Sequence, residues 1–185
     1  MNIYYYLRKI YYAIEKSKKQ KYLDSLIKNG LKLGSDVDIV SNYFFDPSHC
    51  YLISIGDNTT ICPNVRLIAH DASTCKILGY TKMGRIDIRK NCFIGDSVIV
   101  LPNVTIGENS IIGSGSIVTH DIPPNSVAAG NPAKIIMSVD EYLRKIESLS
   151  KTKKIFDEDY FIQNLTDTKR KEMLESLNGQ IGFIR

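Results

Sequence analysis

The chain has three histidines, His49, His70 and His120, and each could move a proton near neutral pH. His70, in the run LIAHDA, is the candidate general base. A hydroxyl nucleophile ionises far above neutral pH and needs a base within hydrogen-bond reach before it can attack a carbonyl carbon. Asp71 follows directly. It could orient His70 or bind a polar ligand, but adjacent residues on a turn point apart, and a structural corner role fits equally. No two histidines have the ligand spacing of three to five residues, and Cys50, Cys62, Cys75 and Cys92 form no CxxC pair, so no metal is expected. Neither a Walker-type loop nor GxGxxG appears, which leaves a nucleoside triphosphate substrate unsupported.

A repeat must position these residues. Ile88 to Pro123 divides without a gap into IRKNCF, IGDSVI, VLPNVT, IGENSI, IGSGSI and VTHDIP. Position one is always Ile or Val. Position four is Asn91, Ser97, Asn103, Asn109, Gly115 and Asp121, mostly residues that tolerate the left-handed backbone region. A period of six fits neither a helix nor an alternating strand. A short strand and a corner make one side of a prism, three sides make a coil, and successive coils stack at strand spacing. The frame also covers LGSDVD and IVSNYF from Leu33, then IGDNTT, ICPNVR and LIAHDA from Ile55. It loosens at FDPSHC, loses phase at Tyr51–Ser54, and leaves an excursion at Ser73–Arg85. His70 falls on position four, a corner from which it would project outward. Asn42 also falls on position four.

The flanks read as helix. Ile3, Leu7, Ile10, Ile14, Leu23, Leu26 and Ile27 mark residues 2–29, either one helix or a hairpin broken near Ser17–Lys19, with Gly30 as the stop. Val139, Tyr142, Leu143, Ile146 and Leu149 share a later helical face, and Asp167 to Leu177 reads as a second short helix. The expected architecture is all-β, with an N-terminal helical segment (1–30), a β-helix domain (31–137) and a C-terminal helical extension (138–185). Of 185 residues 43% are hydrophobic and 24% charged, as in ordinary globular proteins, and the net charge of +4 is mild. Residues 1–30 hold seven Lys/Arg against two acids, which fits a solvated helix face or peripheral contact with a membrane surface. No segment approaches the roughly 20 apolar residues of a membrane span, and no signal peptide is apparent, so reduced thiols and a cytoplasmic location are expected. No nucleic-acid partner is expected.

From about Leu33 to Ile136 the chain resembles the hexapeptide-repeat acyltransferases, in the branch of maltose, galactoside and xenobiotic O-acetyltransferases. IGDNTTICPNVRLIAHD and the run from Ile88 to NSVAAGNPAKII carry that resemblance. A finer likeness, through FDEDY (156–160), is to acetyltransferases that decorate capsular or lipopolysaccharide sugars. The resemblance implies a single-stranded left-handed parallel β-helix, a homotrimer with active sites between neighbouring prisms, and acetyl transfer from acetyl-CoA to a sugar hydroxyl in surface polysaccharide synthesis. No metal is required. It implies His70 as general base and Asn42 in the oxyanion and acceptor region, the alternative for Asn42 being a plain corner. Asp46, His49 and Asp71 are candidate acceptor contacts. Gly95, Asp96, Ser114, Thr119 and His120 match positions lining the CoA groove. Lys134 is the candidate phosphate contact; Met137 stands where some relatives carry a second base, so Lys151, Lys153 or Lys154 could serve instead. N-acetylation of an amino sugar, a non-catalytic binding β-helix and a γ-type carbonic anhydrase share the fold. The last needs three histidine ligands that the spacing here does not offer.

Overall fold

The computed structural model describes residues 17–185. Two compact units make up the chain, one ending at Val139 and one over Asp140–Arg185. In the first, residues 17–28 form helix α1; the expected helical stretch before residue 17, and with it the choice between one helix and a hairpin, lies outside the described residues. The chain then coils. Its first turn is β1 (Lys32–Leu33), β2 (Asp38–Ile39) and β3 (Phe44–Phe45). The second is β4 (Ile53–Ile55), β5 (Thr60–Ile61) and β6 (Arg66–Leu67). An excursion follows: β7 (His70–Asp71), the short helix α2 (Cys75–Leu78) and β8 (Lys82–Met83). The third turn is β9 (Ile86–Ile88), β10 (Phe93–Ile94) and β11 (Ile99–Val100), and the fourth is β12 (Val104–Ile106), β13 (Ile111–Ile112) and β14 (Ile117–Val118). The hairpin β15 (Ser126–Gly130) and β16 (Ala133–Ser138) closes the unit.

Three sheets form the three faces, in the orders β1-β4-β9-β12, β16-β15-β13-β10-β5-β2 and β14-β11-β6-β3. Within them every pairing is parallel except β15 with β16. The register stacks position one on position one. Ile55, Ile88 and Ile106 line up on the first face, Ile61, Ile94 and Ile112 on the second, and Phe45, Leu67, Val100 and Val118 on the third. All ten side chains are buried. Each contributes roughly 1.5–3 kcal/mol of transfer free energy, so the columns are the main source of the unit's stability. Helix α1 adds Leu26 to this core, and the Cys50 thiol lies 3.5 Å from the Leu26 carbonyl.

The corners carry the backbone strain. Asp36, Asn42, Asn58, Asn64, Asn91, Ser97, Asn103, Asn109 and Asn125 all have positive φ, between 49° and 65°. Asn tolerates that region where most side chains do not. Along one edge the amides also form a ladder: Asn58 donates to Asn91 at 3.0 Å, Asn91 to Asn109 at 3.0 Å, and Asn109 to Asn125 at 2.9 Å.

The stride of the coil is 18 residues between the third and fourth turns, as in Ile88 to Ile106, but the two earlier steps are longer. Phe45 pairs with Leu67, four residues late, and Leu67 with Val100, fifteen residues late. Both insertions leave the coil after the third face and rejoin it at the first. They emerge on adjacent turns of the same edge.

The second unit contains α3 (Val139–Ser150) from its second residue on, β17 (Ile155–Phe156), α4 (Asp167–Ser176) and β18 (Phe183–Ile184), with β17 and β18 paired in parallel. Phe156 is buried there, and Tyr160 donates to Glu172 at 2.6 Å. Among the described residues no helix is long and apolar enough to cross a membrane.

Candidate active site

The two insertions bring Asp46, His49 and His70 together. Asp46 directly follows β3, and its N–H donates to the Leu67 carbonyl at 2.9 Å, so its backbone still belongs to the coil. The side chain is completely buried. A buried carboxylate must be hydrogen-bonded to be tolerated. Here Ala69 N–H donates to Oδ2 at 3.1 Å and Ser48 N–H to Oδ1 at 3.2 Å, while the Nδ1 of His70 also meets Oδ2. The His70 side chain is one-third exposed. A carboxylate at Nδ1 fixes the proton there and leaves Nε2 with a free lone pair, the tautomer a general base needs.

His70 does not sit at a left-handed corner, contrary to the expectation from the repeat frame. The antiparallel pair β7–β8 replaces the corner, with His70 opposite Met83 and Asp71 opposite Lys82, because the chain leaves the prism here instead of turning around it. Asp71 is not the residue that orients His70. Its carboxylate accepts from Ser73 N–H at 2.9 Å and lies 3.3 Å from the Lys82 ammonium. The Ser73 hydrogen bonds, first, and then Lys82 hold its carboxyl below the usual carboxylate range.

His49 completes the cluster. Its ring lies 4.6 Å from that of His70 and 5.9 Å from that of Tyr51, centroid to centroid. Its Nδ1 is 3.8 Å from Asp46 Oδ1.

The other sequence candidates occupy a different edge or a different level. Asn42 is exposed at the corner between β2 and β3, with φ 49°. Above it, at the corresponding corners of later turns, stand Asp96, which accepts from Asn64 at 3.4 Å and Ser97 at 2.6 Å, and the exposed Ser114. Gly95 beside them is buried; a Cβ there would meet the Ile112 carbonyl at 2.7 Å, so the turn above dictates glycine. Lys134, exposed on β16 opposite Ala129, continues this edge. Thr119 and His120 follow β14 on the edge that carries His70, and the two side chains are joined at 2.7 Å. They lie two turns beyond it, about 10 Å at strand spacing. Within one chain, therefore, the structure does not bring Asn42 or the Asp96–Ser114 edge to His70.

The part that sequence reasoning missed is Asp46 as the partner of His70. One weak signal was available: Asp46 is the only acid at position two of any six, a place held elsewhere mainly by Gly and aliphatic residues.

Comparison with known proteins agrees with this architecture. A family model described as bacterial transferase hexapeptide (six repeats) matches residues 85–120. Galactoside O-acetyltransferase of Escherichia coli (strain K12) is 41% identical over 115 residues, which cover 58% of this chain and 57% of that protein. The crystal structure of a maltose O-acetyltransferase from Clostridium difficile 630 matches with a TM-score of 0.53 and 30% identity, over 64% of this chain and 75% of that one. The chain belongs to the hexapeptide-repeat acyltransferase family. Membership implies a left-handed winding for the three-sided coil, against the usual right-handed rule for parallel connections. The chain spans little more than half the length of its galactoside O-acetyltransferase relative.

Proposed function

We propose that the protein transfers the acetyl group of acetyl-CoA to a sugar hydroxyl, in the synthesis of a surface polysaccharide, with His70 as general base. The observation that carries this reading is the buried carboxylate of Asp46 on Nδ1 of a solvent-reaching His70. Nε2 takes the proton from the acceptor hydroxyl as its oxygen attacks the thioester carbonyl. The tetrahedral intermediate then collapses, the C–S bond breaks, and the proton passes from His70 to the departing CoA thiolate. Asp46 stabilises the imidazolium between these steps, as the carboxylate does in a Ser-His-Asp triad. The relatives' names, galactoside and maltose O-acetyltransferase, support a saccharide acceptor.

The reading needs a trimer. Asn42, Asp96, Ser114 and Lys134 climb one edge of the prism and His70 stands on another, so a groove holding both sets takes one edge from each of two neighbouring protomers. Asn42 would then supply the oxyanion donor, and Lys134 a CoA phosphate contact. The excursion supports such packing: Ile77, Leu78, Tyr80 and Met83 on it are 81%, 62%, 74% and 54% exposed, an apolar set that a neighbouring prism would cover.

The test is CoA release from acetyl-CoA in the presence of mono-, oligo- and nucleotide-linked sugars, amino sugars included, by wild-type protein and His70→Ala. Removing a general base costs about 10²–10⁴ in rate, with folding unaffected. Substantial transfer by His70→Ala would sink the mechanism.

A further inference from the structure

We propose that Asp46, His49 and His70 form a binding site for a divalent transition-metal cation of the zinc class, and that the bound cation switches off the His70 base. The second half rests on the function proposed above; the first does not.

One carboxylate and two imidazoles are the donor set of an open zinc site, in which water takes the fourth place. The spacing of the histidines conceals it, because His49 and His70 are 21 positions apart in sequence and meet only where the two insertions stack. One ligand atom from each of the three residues lies within 4.8 Å of the others. Among the described residues, His49 Nδ1 is buried and makes no hydrogen bond. A buried polar atom left unsatisfied costs free energy, and a cation would satisfy it. A tetrahedral ion with bonds of about 2.0–2.1 Å holds its donors roughly 3.3 Å apart. His49 Nδ1 and Asp46 Oδ1, at 3.8 Å, already approach that value. His70 must swing away from Asp46 Oδ2 to admit the ion, and its partial exposure leaves room for that movement. The buried negative charge of Asp46 has no Lys or Arg partner among the described residues, so a cation would also neutralise it.

A metal on Nδ1 of His70 and a free lone pair on its Nε2 cannot coexist in a neutral imidazole. With the metal on Nδ1, the remaining ring proton is carried by Nε2, which then has no lone pair to accept a hydroxyl proton. Metal occupancy and base catalysis exclude each other.

Equilibrium dialysis of the chelator-treated full chain against Zn²⁺, without acetyl-CoA or acceptor, tests the site directly. One zinc per chain is expected, with absorption-edge spectra showing nitrogen and oxygen but no sulfur neighbours. Affinity should fall roughly tenfold or more in both His49→Ala and the near-isosteric Asp46→Asn. It should be unchanged in His120→Ala and Cys75→Ser, which remove other exposed donors. Circular dichroism confirms that each variant is folded. No stoichiometric zinc, or equal affinity in wild type and His49→Ala, would overturn the site. In the transfer assay, zinc should inhibit along the same curve by which it binds, and EDTA should restore the rate; full activity with zinc bound would overturn the switch. Zinc binding in a protein without transfer activity would uphold the site and refute only the proposed function.

Discussion

Replacing Asp46 by Asn asks how the carboxylate works, because the amide keeps the shape and discards the charge. Asp46 receives three contacts: Ala69 N–H and His70 Nδ1 at Oδ2, and Ser48 N–H at Oδ1. An Asn side chain offers one oxygen for those two positions. With the oxygen in place of Oδ2, Ala69 and His70 keep their acceptor and the new NH₂ confronts Ser48. With the amide reversed, Ser48 is satisfied, but the NH₂ confronts Ala69 and donates to His70, forcing the wrong tautomer. Ala69 is completely buried and Ser48 is exposed, so Ser48 N–H can turn to water and Ala69 N–H cannot. The first orientation therefore prevails, since a buried donor without a partner costs about 1–3 kcal/mol. His70 then keeps its tautomer but loses the charge opposite the imidazolium. A hydrogen bond to a charged group exceeds a neutral one by about 1–1.5 kcal/mol, which corresponds to roughly a tenfold fall in kcat. Steady-state CoA release, with kcat separated from KM, measures it. A rate within twofold of wild type would refute the coupling of Asp46 to His70. A loss as deep as that of His70→Ala would show that the amide takes the reversed orientation and that the argument from Ala69 is wrong.

Other consequences follow from the coil. Asn109→Ala should cost about 2 kcal/mol in chemical denaturation, since it removes two rungs of the amide ladder and puts a side chain without a polar group at φ 58°. Asn109→Gly, which loses the rungs but relieves the backbone, should cost less than half as much. Gly95→Ala should be more damaging than either, because its Cβ would collide with the backbone of the next turn. Among the thiols, Cys75 is exposed and should react with a disulfide reagent in the native state, while Cys50 and Cys92 should react only on unfolding. Burial, ahead of weaker influences, pushes the Cys92 thiol above its ordinary value of 9.0. Its folded state therefore keeps full stability below that pH and loses it as the unfolded thiol ionises above it; Cys92→Ala should flatten the decline of the melting midpoint above pH 9.

The repeat was legible because its rule is local. Position one must be aliphatic to fill a column, and position four must accept positive φ, so Ile94 and Asn109 each announce their place without reference to any other residue. The trouble with His70 shows the limit of that rule. Its frame position assigns it to a corner, and nothing in LIAHDA says that the chain is about to leave the prism. That decision rests on the fifteen extra residues that follow, whose antiparallel pairing of His70 with Met83 is not a matter of period. Asp46 was harder still. Its role depends on the stacking of Phe45 beneath Leu67, which places the residue after one beside the residues after the other. A contact across 24 positions has no local signature.

The placement of the cluster also has a physical logic. Inside the perfect repeat, every position is already committed: inward to a column, outward to a corner, or to the ladder of backbone hydrogen bonds. A buried carboxylate has no vacancy there. An insertion supplies one, because its first residue keeps its backbone in the coil while its side chain is freed from the pattern. Asp46 occupies that position on one turn, and His70 stands three residues past Leu67 on the next. The parallel register holds the two insertion roots one strand spacing apart, about 4.8 Å. The regular coil thus fixes the separation of two irregular segments, so that shortening either insertion should abolish activity while leaving the columns, and most of the unit's stability, in place.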